Sequence, residues 1–170
     1  MSDERYPIGQ FQCPEKILEK HVVGWIEDIR LLPRQLAKAL SGVNEQSLGN
    51  TYRENGWTLS QLVHHIADSH MNSYIRFKLA LTEEEPTIKP YNEVEWAKLP
   101  DSEMPIEVSY KVIESLHERW VYLLGSLTAE QLQRSFKHPD TGLVTLDCAI
   151  GLYAWHGKHH LAHIQNALAK

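Results

Sequence analysis

The sequence predicts an all-α chain: a four-helix bundle with two long connections and short extra helices. Three observations carry that expectation. Apolar residues recur at helical spacing over four long stretches. Two Thr-x-x-Gln boxes, Thr58–Gln61 and Thr128–Gln131, have the form that opens a helix. No segment sustains strand alternation, and nothing repeats with a period of roughly 20–50 residues. With 170 residues the chain has the size of one domain, and a single bundle spanning 1–170 is expected.

The opening "YPIGQFQCPEK" reads as an extended arm punctuated by Pro7, Gly9 and Pro14. From Glu15 to about Leu40, Ile17, Leu18, Val22, Trp25, Ile26, Ile29, Leu32, Leu36 and Leu40 keep helical spacing. Pro33 inside that run predicts a kink or a break. A polar connection follows, and Thr58 caps a second helix running to about Leu81. "EEEPTIKPYNEVEWAKLPDSEMP" is a long connection with room for a short helix around Glu93 to Leu99. Pro105 suits the first turn of a third helix ending near Leu124. The Thr128 box opens a short helix, and "KHPDTGLV" reads as a turn. Thr145 caps a last helix to the C-terminus.

Composition narrows the function. Seventeen Lys and Arg against 22 Asp and Glu give a net charge of −5, so no nucleic-acid partner is expected. No apolar run reaches the ~20 residues that span a bilayer, so no membrane role is expected. The polar N-terminus has no secretory h-region, and Cys13 and Cys148 form no C-x-x-C. Together these predict a cytoplasmic protein with two free thiols.

The chemistry concentrates in histidines. "HGKHHLAH" places His156, His159, His160 and His163 on the last helix. His159/His163 and His156/His160 each have the i, i+4 spacing by which two imidazoles reach one divalent ion. The same spacing also arises on a solvated helix face, and no H-E-x-x-H occurs in the chain. On the second helix His65, Ser69, Asn72 and Arg76 line one edge beside the apolar stripe, and His70 falls within that stripe. If the two edges meet, His65 joins His159 and His163 in a three-histidine site with an open position. Asp68 is a candidate to orient an imidazole, and Arg76 to receive a substrate carboxylate. Ser69 and Asn72 are candidate pocket residues, His156 and His160 candidate supporting donors.

The segments "YPIG", "TYRENGWTLSQLVHHIADSHMNSYIRFKLALTEE", "IKPYNEVEWAKLPDS", "HPDTG" and "GLYAWHGKHHLAHI" occur in this order along nearly the whole chain. By them the chain resembles the DinB-like family, and within it the YfiT-type metal-dependent hydrolases of Bacillus-like bacteria. One departure is Thr51, where the pattern carries proline before Tyr52. The resemblance implies a DinB/YfiT-like helical bundle, a homodimer, and one divalent ion per chain, zinc or, in its place, nickel. It implies three histidine ligands, which position matching assigns to His65, His159 and His163. It implies a small-molecule substrate and two candidate chemistries. One is hydrolysis by an activated water. The other is S-transfer from a low-molecular-weight thiol such as bacillithiol, held as thiolate. A metal-binding protein without turnover is the third reading.

Overall fold

The computed structural model describes residues 4–169. Its elements are α1 (Glu19–Leu40), α2 (Glu45–Leu48), α3 (Leu59–Thr82), α4 (Glu93–Trp96), a 3-10 turn (Pro100–Glu103), α5 (Ile106–Gly125), α6 (Ala129–Leu132), β1 (Ser135–His138), β2 (Gly142–Thr145) and α7 (Leu146–Leu168). The four long helices form a bundle in which α1 packs on α5 and α7, and α3 packs on the same two. Thus α1 and α3, consecutive among the long helices, sit on a diagonal rather than side by side. The two long connections make this arrangement reachable. No helix among the described residues is long and apolar enough to cross a membrane.

Local chemistry sets the helix starts. Thr58 accepts from the Gln61 backbone N–H while the Gln61 side chain accepts from the Thr58 N–H, and Thr128 and Gln131 repeat this exchange. The helix α1 continues through Pro33, whose ring is buried, so the expected break does not occur. Pro105 is the residue before α5 rather than its first turn. The "KHPDTGLV" stretch belongs to a small antiparallel hairpin, pairing Ser135 with Thr145 and His138 with Gly142. No strand was expected there. Four residues per strand are too few for alternation to show, and Gly142 takes the positive φ the turn needs.

A second correction concerns the cysteines. Cys13 and Cys148 are joined in a disulfide, not free. The N-terminal arm folds back along α7, with Trp155 Nε1 donating to the Gly9 carbonyl and Phe11 packing against Trp25. That return brings together two cysteines 135 residues apart in sequence.

The interior has two apolar clusters. One holds Ile29, Phe77, Trp120, Leu124, Phe136, Leu146 and Ile150, at the hairpin end. The other holds Leu32, Leu36, Leu59, Leu62, Ile66, Ile113 and Ile164. Along α3, α5 and α7 the switch between clusters falls at histidines: the buried His70 and His117, the half-buried His156, and the buried His159, His160 and His163. The bundle therefore carries a polar layer between two apolar ends. Gly157, inside that run, lets α7 lie close to α1, since a Cβ there would stand 2.7 Å from Leu32 Cδ2.

Candidate metal centre

On the α3–α7 side the histidine layer opens to the surface at a cleft of about 480 Å³. Its lining includes His65, His156, His159, His160 and His163, with Trp57, Glu93, Trp155, Arg5 and Arg53 around them. His65 comes from α3 and the other four from α7, and packing of these two helices brings them together. The sequence left the meeting of the two helix edges as a condition; in the bundle His65 lies against His156 and His160 of α7.

Two groups of imidazoles lie close enough to share an ion. His65, His156 and His160 form one, and His159, His160 and His163 the other, each with ligand atoms within 4.8 Å of one another. Among the described residues the combination His65, His159 and His163 does not form such a group. His65 instead faces the other i, i+4 pair: its Nε2 lies 3.3 Å from His156 Nε2, and its ring meets His160 edge-on at 4.8 Å. His159 and His163 adjoin each other at 4.2 Å between ring centroids. Both are packed on aromatic faces, His159 on Trp155 and His163 on Tyr52. Among the described residues His159 Nδ1 is buried with no hydrogen-bond partner.

The pocket candidates separate clearly. Ser69 Oγ is 3.4 Å from His156 Nε2, so Ser69 reaches the site. Asn72 does not, because its amide donates to the Asp68 carbonyl one turn back. Arg76 donates to the Tyr153 hydroxyl and does not line the cleft. Asp68 is partly buried near Asp101, and burial followed by that like charge pushes its carboxyl up to about 6. Among the described residues no hydrogen bond or ion pair joins it to His65. His64 is held away, between Ser109 Oγ at 2.7 Å and the Met104 carbonyl at 2.9 Å.

Three residues of the centre carry no distinctive sequence signal. Glu93, on α4, places Oε2 3.9 Å from His65 Nε2, and partial burial raises its carboxyl above the usual range. In sequence it is one acid in an acidic connection. His70 and His117 form a buried pair at 2.8 Å, and His70 Nε2 continues to His156 Nδ1 at 3.0 Å. A helical wheel puts His70 in the core, but only the packed structure shows what it meets.

Burial dominates the electrostatics. It pushes His65, His117 and His159 down to about 4, with neighbouring imidazolium repulsion adding to the effect at His65 and His159. His70, His156 and His160 are driven well below the ordinary value by burial first and histidine neighbours second. Neutral imidazoles at neutral pH are what a divalent cation requires of its ligands. The spacing also fits. Nitrogens at ~2.0–2.1 Å from a tetrahedral ion are ~3.3 Å apart, the observed separation of His65 Nε2 and His156 Nε2.

A family model described as the DinB superfamily matches residues 29–164. The chain belongs to the DinB superfamily. Among its relatives in that superfamily, a Bacillus cereus (strain AH820) protein named "Putative metal-dependent hydrolase" is 58% identical over 164 residues. The match covers 96% of this chain and 95% of the relative. A Halalkalibacterium halodurans protein of the same name is 55% identical over 168 residues, covering 99% and 98%. The solved structure of Bacillus subtilis YfiT, described as "a probable metal-dependent hydrolase with an unusual four-helix bundle topology", superposes with a TM-score of 0.93. It is 46% identical and covers 96% of this chain and 95% of that one. A mycothiol-dependent maleylpyruvate isomerase shares the fold at a TM-score of 0.68 and 18% identity, over 84% of this chain and 60% of its own. The DinB-like resemblance and the four-helix bundle expected from sequence are thus borne out.

Proposed function

We propose that this DinB superfamily member is a metal-dependent hydrolase whose single divalent ion is held by His65, His156 and His160. The observation that carries the reading is the convergence of these three neutral imidazoles in the cleft, with two ring nitrogens 3.3 Å apart. The set implied by the sequence resemblance, His65 with His159 and His163, has less support, because those three nitrogens do not converge. Zinc suits three imidazoles, and nickel fits the same donor chemistry.

A divalent ion on three imidazoles supplies Lewis acidity and brings the pKa of a water to near ~7. The protein's own groups supply the rest. Glu93, with Oε2 beside His65 and a carboxyl raised by partial burial, is the proton acceptor at the cleft. Arg5 and Arg53 give the lining positive charge, which favours a small substrate carrying a carboxylate or phosphate. Trp57 packs against His65 at 4.5 Å and Trp155 stacks on His159, shielding one side of each ring from water.

The test is a turnover panel with the zinc-loaded protein on small anionic esters, amides and phosphate esters, run with and without bacillithiol or cysteine plus an electrophile. Metal-dependent cleavage without thiol, reduced at least ~100-fold in Glu93→Gln, is the expected result. Product formation only when thiol is present would replace hydrolysis with S-transfer. Inertness in every arm would leave a metal-binding protein without turnover.

A further inference from the structure

We propose that two chains of buried histidines, each anchored on a backbone carbonyl, fix the tautomers of His156 and His160, making His70, His117 and His163 positioning residues for the metal centre. This rests on the assignment of His65, His156 and His160 as the ion-holding set.

The first chain starts at Ile29. A carbonyl oxygen can only accept, and it lies 2.7 Å from His117 Nδ1, so that nitrogen carries the hydrogen. A neutral imidazole has one N–H, which leaves His117 Nε2 bare. His70 Nδ1, 2.8 Å away, must then donate to it, leaving His70 Nε2 bare. His156 Nδ1, at 3.0 Å, must donate in turn. The chain ends with a bare His156 Nε2, 3.3 Å from His65 Nε2 and 3.4 Å from Ser69 Oγ. One carbonyl on α1 thereby dictates which nitrogen of a residue on α7 is free to bind a cation.

The second chain follows the same logic. The Arg5 carbonyl lies 3.2 Å from His163 Nε2, so Nε2 carries the hydrogen and Nδ1 is bare. His160 Nδ1, 3.3 Å from His163 Nδ1, donates to it and keeps Nε2 as its lone pair. His163, a ligand candidate by spacing, is here the partner that orients a ligand. Metal-binding histidines ordinarily give their second N–H to a carboxylate, carbonyl or water. In this protein the carbonyls act through intervening imidazoles. His70 and His117 are also 0% and 1% exposed, so solvent does not compete for their hydrogens.

A purely structural role for His117 predicts lower stability but unchanged ligand chemistry. The test reads the tautomers directly, by long-range proton–nitrogen NMR of the metal-stripped full chain with labelled histidine. His117, His70, His156 and His160 should all appear as Nδ1–H, and His163 as Nε2–H. His117→Phe should shift His156 toward the Nε2–H form and weaken zinc binding about 10- to 100-fold at unchanged stoichiometry. His117→Gln, whose amide oxygen can accept from His70, should recover most of that affinity. His163→Phe should loosen zinc to a similar degree without abolishing it.

An Nε2–H His156 in the wild-type spectrum would overturn the proposal, as would wild-type zinc affinity in folded His117→Phe. Complete loss of zinc from His163→Phe would make His163 a ligand and overturn the second chain. Should His117→Phe not fold, the wild-type spectrum and the Gln variant decide. If wild-type protein binds no zinc, the metal assignment fails, and the tautomer pattern is judged by the spectrum alone.

Discussion

The apolar ends of the bundle and the histidine layer between them follow opposite physical rules. At the hairpin end Phe77, Trp120 and Ile150 are fully buried, and their worth lies in area removed from water and tight packing. In the middle layer His70, His117 and His160 are buried too, and His156 is half-buried, yet burial there costs free energy unless each ring nitrogen finds a partner. Apolar side chains would pack there at lower cost. The layer is retained at a cost to folding, and its hydrogen bonds run toward the one cleft where ring nitrogens converge. The ends hold the helices; in the middle, imidazole nitrogens converge at a cleft.

The largest expected consequence of that difference is acid lability confined to the layer. His65, His117 and His159 have folded-state values near 4 against an ordinary 6.5. The unfolded chain therefore binds more protons between those values, and stability falls as pH drops. The contribution is fully present above pH ~6.5 and lost progressively toward pH ~4. Each pH unit separating a folded-state pKa from its ordinary value is worth about 1.4 kcal/mol. His65 and His117 alone should therefore cost the metal-stripped protein several kcal/mol across that window. Urea denaturation from pH 7.5 to 4 measures it; a flat profile would mean the rings are solvated.

Truncation in the apolar end should cost nearly as much but leave the site alone. Phe77→Ala is expected to destabilise by about 3–5 kcal/mol, with metal content per folded chain unchanged. Loss of metal at preserved fold would erase the distinction between the regions. Gly157→Ala probes the boundary. Its Cβ would press on Leu32 Cδ2 at 2.7 Å, and an overpacking loss of about 1–3 kcal/mol should appear as a lower thermal midpoint. Thr58→Ala is the mildest, removing the N-terminal cap of α3 at about 1 kcal/mol.

The contrast also explains what the sequence revealed. Helical periodicity and the Thr58 and Thr128 boxes are local, so the long helices and the starts of α3 and α6 were readable. The histidine-bearing edges of α3 and α7 were readable too, because sidedness follows from 100° per residue, but whether the two edges meet was not. The choice between His156/His160 and His159/His163 was not. The pairs share a spacing, and only the rotation of α7 against α3 and the aromatic faces of Trp155 and Tyr52 distinguish them. The His70–His117 contact joins α3 to α5, the Cys13–Cys148 bridge joins the arm to α7, and Glu93 reaches His65 from a connection. All three depend on tertiary packing, which periodicity does not encode.

Metal content per chain tests the central claim most directly. Untagged wild-type protein, reconstituted with zinc and freed of excess, should carry about one ion per chain. His156→Ala with His160→Ala should carry none, while His159→Ala alone should retain it. Metal retained in the first variant and lost in the second would contradict the account and return the ion to His159 and His163.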